Sequence, residues 1–236
     1  MKLSIVIPVY NERVFFPQLL EQVRAVPIAK EIIVVEDCST DGTRDFVREL
    51  QSAGGWPGDE LNELRVALHE RNQGKGAAIR TGLGMVAGDV VIIQDADLEY
   101  DPRDYAALIA PIQAGRADVV YGSRFLGGPH RTHMFWHFAA NRFLTLVSNV
   151  FTNLNLTDME TCYKVFRAEY ARRIVLKSER FGFDPEITAR LARFKCRFYE
   201  VPISYYGRDY AEGKKITWKD GFVVLHAILK YNIWDR

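Results

Sequence analysis

The stretch VVIIQDADLEYDP, residues 90–102, joins a run of apolar β-formers to four acidic residues. The apolar run predicts a fully buried strand. On an extended backbone alternate side chains point the same way, so Asp95, Asp97 and Glu99 are expected to share one direction. Asp101 directly precedes a proline, which is typical of a residue that caps the start of a helix. The stretch therefore predicts a strand that ends in a cluster of carboxylates.

Strand and helix signals alternate on both sides of this stretch through the first half of the chain. Such alternation, with helices of roughly 10–13 residues, predicts right-handed βαβ units and a mostly parallel sheet. Strands are predicted over Leu3–Pro8, Ile32–Glu36, Arg65–His69, Asp89–Gln94 and Asp118–Ser123, and helices over Val14–Val26, Thr40–Gln51, Gly76–Val86 and Asp101–Gln113. Beyond Phe125 the pattern is less regular, with strands predicted over Thr161–Arg167 and Cys196–Tyr205 and helices over His133–Phe151, Asp184–Phe194 and Thr217–Trp234.

The composition is that of an ordinary globular protein. The 236 residues include 31 Lys and Arg against 30 Asp and Glu, and this balance argues against general binding of nucleic acid. The three cysteines, Cys38, Cys162 and Cys196, are odd in number and lack the spacing of a metal site, so they are expected to be reduced thiols. The N-terminus does not resemble a signal peptide, and no apolar stretch reaches the ~18 residues of a spanning helix. We therefore expect a cytoplasmic protein that is not integral to a membrane.

Four polar loops, PVYNE, EDCSTDG, ERNQGKG and DADLE, each follow directly on a predicted strand. The carboxyl ends of parallel strands meet at one edge of a sheet, where ligands of open α/β folds bind, so we predict an active site there. Its carboxylates suit Mg²⁺ or Mn²⁺ with phosphate oxygens completing the shell, and the alternative is a solvated acidic loop. In the second loop Asp37 is a candidate for reading a base or ribose, whereas Ser39, Thr40 and Asp41 are candidates for capping the next helix.

Two other stretches are candidates for binding an anion. RNQGKGAAIRTGL, residues 71–83, has Lys75 between two glycines ahead of a helix, and a helix N-terminus favours negative charge. The alternative for this stretch is an ordinary capped turn. SYYGRDYAEGKKITWKD, near the C-terminus, contains Arg208, Lys214 and Lys215, which are enough cations to bind a single phosphate. The alternative for that stretch is a solvated basic loop.

The helix predicted over residues 133–151 carries one narrow polar stripe. Its members recur at intervals of three or four residues and are His137, Asn141, Thr145, Ser148 and Thr152. Most of the remaining circumference is apolar and rich in phenylalanine. A helix of this kind is either buried in the core or lies with its apolar side in the surface of a bilayer. Both alternatives stay open at this point.

Seven motifs together resemble a known family. In chain order they are SIVIPVYNE, VVEDCSTDGT, NQGKGAAIRTGL, IIQDADLEYDP, YGSRF, FGFDPEI and EVPISYYGRDYAEGKKI. This set is similar to the inverting glycosyltransferases of family 2, in particular to the dolichyl- or polyprenyl-phosphate mannose and glucose synthases, over nearly the whole chain. The resemblance implies a GT-A fold, a donor of the GDP-mannose or UDP-glucose type, Mg²⁺ or Mn²⁺ as cofactor, and a lipid phosphate as acceptor. Within a single domain, residues 1–125 would form the nucleotide-sugar-binding half and residues 126–236 the helical acceptor-binding half.

The same resemblance implies roles for single residues. The nucleotide sugar would be bound by Pro8, Tyr10, Glu12, Asp37, Lys75, Asp95, Ser123 and Arg124. The metal would be bound by Asp95, Asp97 and Glu99, and the acceptor phosphate by Arg131, Arg208, Lys214 and Lys215. Asp97, Arg208 and Lys215 would act in catalysis, because a phosphate dianion needs steering more than it needs a base. A neutral hydroxyl acceptor would need a base, for which Glu186 and Asp158 are candidates.

Two motifs depart from those usual in these synthases, TDMETCYKVFR and EGKKI, and both bear on the acceptor. The C-terminal transmembrane helices of some members are missing. We therefore expect either a soluble protein that contacts the cytoplasmic membrane face through residues 133–152 or a catalytic subunit with a membrane-anchoring partner. The alternatives are a family 2 glycosyltransferase that acts on a sugar hydroxyl in polysaccharide or glycolipid assembly, a non-catalytic nucleotide-sugar-binding subunit, and a nucleotidyltransferase.

Overall fold

One sheet of seven strands runs through the protein. The computed structural model describes residues 1–127, 135–180, 182–207 and 218–235. The strands in these residues are β1 (Leu3–Val9), β2 (Lys30–Glu36), β3 (Asn62–Leu68), β4 (Val90–Ile93), β5 (Val119–Ser123), β6 (Lys164–Arg167) and β7 (Phe198–Pro202). Their order across the sheet is β3-β2-β1-β4-β6-β5-β7, and β6 runs antiparallel to both of its neighbours while the other pairs are parallel. The predicted α/β fold with a mostly parallel sheet is confirmed.

Helices connect these strands. They are α1 (Phe16–Ala25), α2 (Thr43–Ser52), α3 (Lys75–Leu83), α4 (Tyr105–Gln113), α5 (Phe135–Thr152), α6 (Ala168–Ala171), α7 (Phe183–Arg193) and α8 (Trp218–Leu229). A 3₁₀ turn, Pro102–Asp104, precedes α4, and a π-helical turn, Lys230–Trp234, follows α8. The side chain of Asp101 accepts a hydrogen bond from the backbone N–H of Arg103 at 2.9 Å, which confirms the predicted cap.

The core lies around the centre of the sheet. Every residue of β2 and of β4 is buried, which requires cover on both faces. The three central strands are in register, with Ile5 of β1 paired to Ile32 of β2 and to Ile92 of β4. Because these strands are parallel, their carboxyl ends lie side by side and bring the loops after them together.

The loops after β1 and β2 are joined by hydrogen bonds. The backbone N–H of Asn11 donates to Ser39 Oγ at 3.0 Å, and Asn11 Oδ1 accepts from the backbone N–H of Thr40 at 2.8 Å. The N–H of Glu12 donates to Thr43 Oγ1 at 3.1 Å. The Ser-Thr-Asp run therefore holds the loop that carries Glu12. The N-cap of α2 is Gly42, which makes no side-chain cap bond, so Ser39, Thr40 and Asp41 do not occupy the predicted capping position, although Asp41 Oδ1 accepts from the Thr43 N–H at 3.0 Å.

Candidate active site

Asp37 lies at the carboxyl end of β2 and is only 2% exposed. Its Oδ1 accepts hydrogen bonds from His69 Nδ1 at 2.7 Å and from the Gln73 N–H at 2.8 Å. Its Oδ2 accepts from Asn72 Nδ2 at 3.0 Å and from the Gly74 N–H at 2.7 Å. A carboxylate offers about four lone-pair sites, so these four bonds use its capacity. Asp37 therefore orders the loop that leads into α3, which is a role the sequence did not indicate.

Lys75, the first residue of α3, pairs with Asp95 beyond the end of β4, with 2.6 Å between Nζ and Oδ1. Burial acts to lower the pKa of the Lys75 ammonium, but Asp95, Cys162 and Asp184 nearby raise this pKa well above its usual value. The loop ordered by Asp37 thus places a fixed positive charge at the edge of the sheet where Asp95, Asp97 and Glu99 follow β4. We call this edge the carboxylate edge. The prediction that Lys75 and Asp95 share one site is in keeping with this contact.

The side chains of Asp95, Asp97 and Glu99 do not share one direction. β4 ends at Ile93, and residues 96–99 form a bend, so the alternation of an extended strand does not reach Glu99. Asp97 Oδ1 accepts from the Glu99 N–H at 3.1 Å, whereas Glu99 Oε2 accepts from the Tyr205 hydroxyl at 2.8 Å. Among the residues that the structure describes, no three His, Cys, Asp or Glu side chains come together as a metal centre. The expectation of a shared direction was wrong because the chain bends at residues 96–99 and does not stay extended beyond the strand.

The oxygen donors at this edge nevertheless suit Mg²⁺ or Mn²⁺ bound to a diphosphate. Mg²⁺ is commonly held by one or two carboxylates while phosphate oxygens and water complete its shell, so a cluster of three protein ligands is not required. Asp97 is partly exposed at the carboxylate edge, and Asp95 is engaged by Lys75. The donor set fits a metal that arrives with its diphosphate.

Ser123 and Arg124 follow β5 and are tied to the segment before β6. Ser123 Oγ is 2.6 Å from Thr157 Oγ1. Arg124 makes a bidentate pair with Asp158, with 2.6 Å between Nε and Oδ2 and 2.7 Å between Nη2 and Oδ1. Asp158 is 0% exposed, and Asn141 of α5 also donates to it, at 3.4 Å. This carboxylate, one of the two candidate bases, therefore serves to hold Arg124.

Glu186, the other candidate base, is also 0% exposed. Its carboxylate accepts from the backbone N–H groups of Lys177 and Ser178 at 2.7–3.0 Å and pairs with Arg190. The segment it holds packs on the start of α3, where the Ala77 N–H donates to the Glu179 carbonyl at 3.2 Å. Glu186 therefore supports the Lys75 end of α3, and its carboxylate is engaged by backbone N–H groups and by Arg190.

Two buried ionisable groups, Lys164 and Asp184, and the partly buried Glu160 carried no role in the sequence prediction. Lys164 is 0% exposed and pairs with Asp184 at the start of α7. Glu160 has its Oε1 buried with no hydrogen-bond partner in the described residues. Burial and the neighbouring Asp184 raise the pKa of Glu160 to about 8. The usable signal was a lysine that interrupts the apolar run YKVF, since a buried lysine calls for a carboxylate nearby.

The remaining predicted residues divide into two groups. Pro8 is the last residue but one of β1, Tyr10 just beyond the strand is 41% exposed, and Glu12 is part of the loop bound to the β2–α2 turn. The predicted acceptor residues lie outside the described residues, and they are Arg131, Arg208, Lys214 and Lys215.

Helix α5 presents its apolar side outward. Its buried residues are Leu144, Thr145 and Ser148, and Thr145 Oγ1 accepts from the Met159 N–H at 3.1 Å. We define the outer apolar face by its exposed residues, which are Phe135, Trp136, Phe138, Phe143, Leu146, Val150 and Phe151 of α5 with Phe222 and Val223 of α8. Helix α5 packs against α7 and α8. Of the two alternatives for this helix, the fully buried one is wrong: within the described residues the polar stripe faces the protein and most aromatic side chains are exposed, although Phe138 also packs edge-on against Phe125. None of the described helices is both long and apolar enough to cross a membrane.

The chain is similar in sequence to known proteins over most of its length. The family model described as Glycosyl transferase family 2 matches residues 4–175. The undecaprenyl-phosphate mannosyltransferase of Micrococcus luteus is 29% identical over 99% of this chain and 94% of its own length. The undecaprenyl-phosphate 4-deoxy-4-formamido-L-arabinose transferase of Yersinia enterocolitica is 30% identical over 90% of this chain, which spans 62% of that relative's length.

A solved structure gives the same fold. Glucosyl-3-phosphoglycerate synthase from Mycobacterium tuberculosis, in complex with Mn²⁺, uridine diphosphate and phosphoglyceric acid, superposes with a TM-score of 0.73 at 17% identity, covering 98% of this chain and 78% of that one. At this identity the likeness shows the GT-A fold alone. The family match includes β1 to β6 and the loops that carry Asp37, Lys75 and Asp97. The resemblance read from the seven motifs is confirmed, and the chain belongs to glycosyl transferase family 2 as a glycosyltransferase.

Proposed function

We propose that this enzyme transfers a hexose from a nucleotide-diphosphate sugar to a polyprenyl phosphate, with inversion at the anomeric carbon. The observation that carries the proposal is the outer apolar face of α5, whose opposite side reaches the carboxylate edge through Asn141 and Asp158. An exposed aromatic face beside a site for a charged headgroup suits an acceptor with a lipid tail. Both relatives named above act on undecaprenyl phosphate by name, which supports the same acceptor class.

The donor would lie across the carboxyl ends of β1, β2 and β4. Tyr10 and Glu12 would contact the nucleoside from the loop after β1, while Asp37 would act by ordering residues 72–74. Lys75 would face the sugar diphosphate beside Asp95. The nucleotide bound by the M. tuberculosis structure, uridine diphosphate, supports a donor of the UDP-glucose type, and the mannosyltransferase relative supports one of the GDP-mannose type.

A divalent metal fits this arrangement, with Asp97 as the residue that would hold it. Such an ion, when bound, would offset the negative charge that develops on the departing diphosphate. The bend after β4 would keep Asp97 at the carboxylate edge, and Lys75 would keep Asp95 in an ion pair beside it.

The acceptor proposed here requires no protein base. A phosphate monoester has a second pKa of about 6 and is largely a dianion at neutral pH, so it is already nucleophilic. A hydroxyl acceptor would need a carboxylate within reach, yet Glu186 and Asp158 are both fully buried and paired with arginines. This supports a lipid phosphate over a sugar hydroxyl. Arg208 and Lys215 are proposed to steer the phosphate.

The outer apolar face would rest on the membrane that contains the acceptor. A helix with aromatic residues on one side and a polar stripe on the other lies in the plane of a bilayer surface. We propose peripheral attachment to the cytoplasmic face through α5 and α8. A membrane-anchoring partner subunit stays a prediction of the sequence.

The test is a panel of nucleotide sugars incubated with a short polyprenyl phosphate and Mg²⁺ or Mn²⁺, followed by the mass of the lipid product. We expect a phosphate-linked hexosyl lipid with one donor class, and none when the matching polyprenol replaces the phosphate. Donor hydrolysis without a lipid product for any donor, or transfer to a sugar hydroxyl, would overturn the proposal.

A further inference from the structure

A buried amide lies at the end of β4. The side chain of Gln94, the residue after this strand, is 0% exposed. Its Oε1 accepts hydrogen bonds from the hydroxyls of Tyr105 at 2.6 Å and Tyr163 at 2.7 Å. Its Nε2 donates to the carbonyl of Asp95 at 2.9 Å. Gln94 therefore connects the chain after β4 to the first residue of α4 and to the residue before β6.

The amide of Gln94 fits these partners in one orientation. With its oxygen and nitrogen exchanged, Oε1 would face the Asp95 carbonyl, and two acceptors would meet. In the orientation present, the two hydroxyls use both lone pairs of Oε1. Burial raises the pKa of Tyr105 and of Tyr163 well above the usual value, so both hydroxyls keep their protons and need an acceptor. The tyrosines thus hold the amide, and the amide holds the Asp95 carbonyl.

The carbonyl that Gln94 holds belongs to the peptide at which the chain leaves the sheet. Backbone pairing with β1 extends to the Gln94 N–H, which donates to the Val6 carbonyl at 3.0 Å. The peptide between Asp95 and Ala96 then leads into the bend at residues 96–99. We call residues 95–99 the acidic turn. Because a peptide unit is planar and rigid, fixing its carbonyl sets the direction in which the acidic turn leaves the sheet.

The far end of the acidic turn is anchored to the same part of the chain. Tyr100 is 4% exposed, and its hydroxyl accepts a hydrogen bond from the Cys162 N–H at 3.0 Å. Its ring contacts that of Tyr163, with 4.9 Å between the ring centroids. Residues 162 and 163, just before β6, therefore hold both ends of the turn, while Asp97 in its middle is partly exposed.

We propose that Gln94 is a positioning residue, whose amide fixes the peptide after Asp95 and thereby the placement of the Asp95 and Asp97 carboxylates toward a metal-bound diphosphate. For its effect on the metal this inference rests on the proposed function. An apolar residue would pack at the end of a buried strand without needing any hydrogen-bond partner. The amide at this position is explained by the bond that it makes to the acidic turn.

Three variants separate the placement of the turn from the stability of the core. Gln94→Met keeps the length of the side chain and removes the amide. Tyr105→Phe removes one donor to Oε1 and leaves the bond to Asp95 in place. The matched control is Tyr121→Phe, which removes another fully buried hydroxyl, bonded to Thr188 at 2.8 Å, on a strand that is not a neighbour of β4. The measurements are the urea midpoint, the kinetic constants of transfer, and the affinity for Mn²⁺ in the presence of UDP or GDP, determined by electron paramagnetic resonance.

We expect Gln94→Met to lower the Mn²⁺ affinity and kcat about tenfold each, because a small displacement of charged groups at a site is costly. The KM for polyprenyl phosphate should stay within about twofold of wild type, since the change acts on the donor side. Tyr105→Phe and Tyr121→Phe should both lower the urea midpoint but leave the Mn²⁺ affinity within about twofold. A Mn²⁺ affinity that is unchanged in Gln94→Met, or that falls in step with the urea midpoint in all three variants, would overturn the inference.

Hydrogen exchange of the protein without metal or substrate keeps this inference apart from the proposed function. The backbone amides of residues 95–100 report on the acidic turn, and those of residues 30–36 in β2 report on the core. In Gln94→Met we expect exchange at residues 95–100 to be about tenfold faster, with a change of about twofold or less in β2. Tyr121→Phe should not show this pattern.

A double variant tests the same point with Gln94 in place. Tyr105→Phe/Tyr163→Phe frees the amide from both hydroxyls, so we expect faster exchange at residues 95–100 in this variant too. Unchanged exchange there in both Gln94→Met and the double variant would overturn the positioning role, even if the enzyme proves to need a metal. Faster exchange would support that role even if the wild type bound no Mn²⁺, a result that would instead refute the metal in the proposed function.

Discussion

Replacing Asp37 by Asn tests whether this carboxylate orders the loop ahead of α3. The substitution keeps the shape of the side chain but exchanges one oxygen for an NH₂ group that donates. At the Oδ1 position this group would face the Gln73 N–H, and at the Oδ2 position it would face the Gly74 N–H. Either orientation sets a donor against a donor and leaves one buried backbone N–H without an acceptor.

The expected loss of stability follows from the one buried N–H that is left without an acceptor. An unsatisfied buried donor costs about 1–3 kcal/mol, and the remaining bonds lose the assistance of the negative charge. We expect Asp37→Asn to lower the free energy of unfolding by about 3 kcal/mol. With a slope of about 3 kcal/mol/M this lowers the urea midpoint by roughly 1 M. Because residues 72–74 lead into Lys75, binding of UDP and GDP should weaken as well.

Urea denaturation followed by tryptophan fluorescence measures the first effect, and titration calorimetry with the nucleotides measures the second. The control is Asp45→Asn on α2, where the side chain is 77% exposed and a change within about 0.5 kcal/mol is expected. If Asp37 acted only by hydrogen-bonding the base, Asp37→Asn would weaken nucleotide binding and leave the free energy of unfolding unchanged. That result would refute the reasoning.

Four further outcomes are expected. Asp97→Ala should lower metal-dependent transfer at least about a hundredfold, and full wild-type activity in the presence of a chelator would contradict this role. Glu160→Gln should raise the thermal midpoint more at pH 9 than at pH 5. The pKa of Glu160 is about 8 in the folded protein against 4.5 in the unfolded chain. The stability of the wild type is therefore intact below pH 4.5 and falls as the pH rises through 8. An equal difference at both pH values would count against it. Leu146→Asp on the outer apolar face should weaken binding to phospholipid vesicles about tenfold. The control Val175→Asp, at a site that is 66% exposed and lies outside that face, should not weaken it. Equal losses of vesicle binding in both variants would argue against membrane attachment through this face. Gly76→Ala should destabilise by about 1–3 kcal/mol, because its Cβ would collide with the Ser178 carbonyl, and Gly221→Ala, with open space around it, serves as control in thermal melts.

Much of the fold follows from local pattern. Apolar runs locate the central strands β1, β2 and β4, because a strand buried on both faces tolerates few polar residues. The edge strands β3 and β7 are only partly buried and carry charged residues, yet their β-branched and aromatic residues indicate them as well. Helix α6 escapes prediction because a single turn has no measurable period. The Asp101 cap was predictable because it depends only on the residues next to it.

What escaped prediction depends on contacts between distant residues. No local signal places β6 between β4 and β5 or sets its direction, since that pairing joins Val91 to Phe166 across the chain. The burial of Glu186 was hidden for the same reason, because its partners at 177–178 approach only in the folded chain. Glu99 was misplaced by extending the strand pattern past Ile93. For α5 the sequence left two alternatives open, because a polar stripe shows that the two sides of a helix differ but not which of them faces the core.

The position of β6 has a consequence for how the protein is made. When β5 has left the ribosome it cannot pair with β4, because β6 lies between these two strands in the sheet. β6 begins about forty residues after β5 ends. At roughly 5–20 residues per second, the nascent chain exposes two unpaired strand edges for several seconds. The first half of the chain therefore cannot finish its own sheet, and a fragment that ends near residue 125 should aggregate where the whole chain folds. Synthesis of residues 126–236 is thus a condition for a stable carboxylate edge in the first half of the chain.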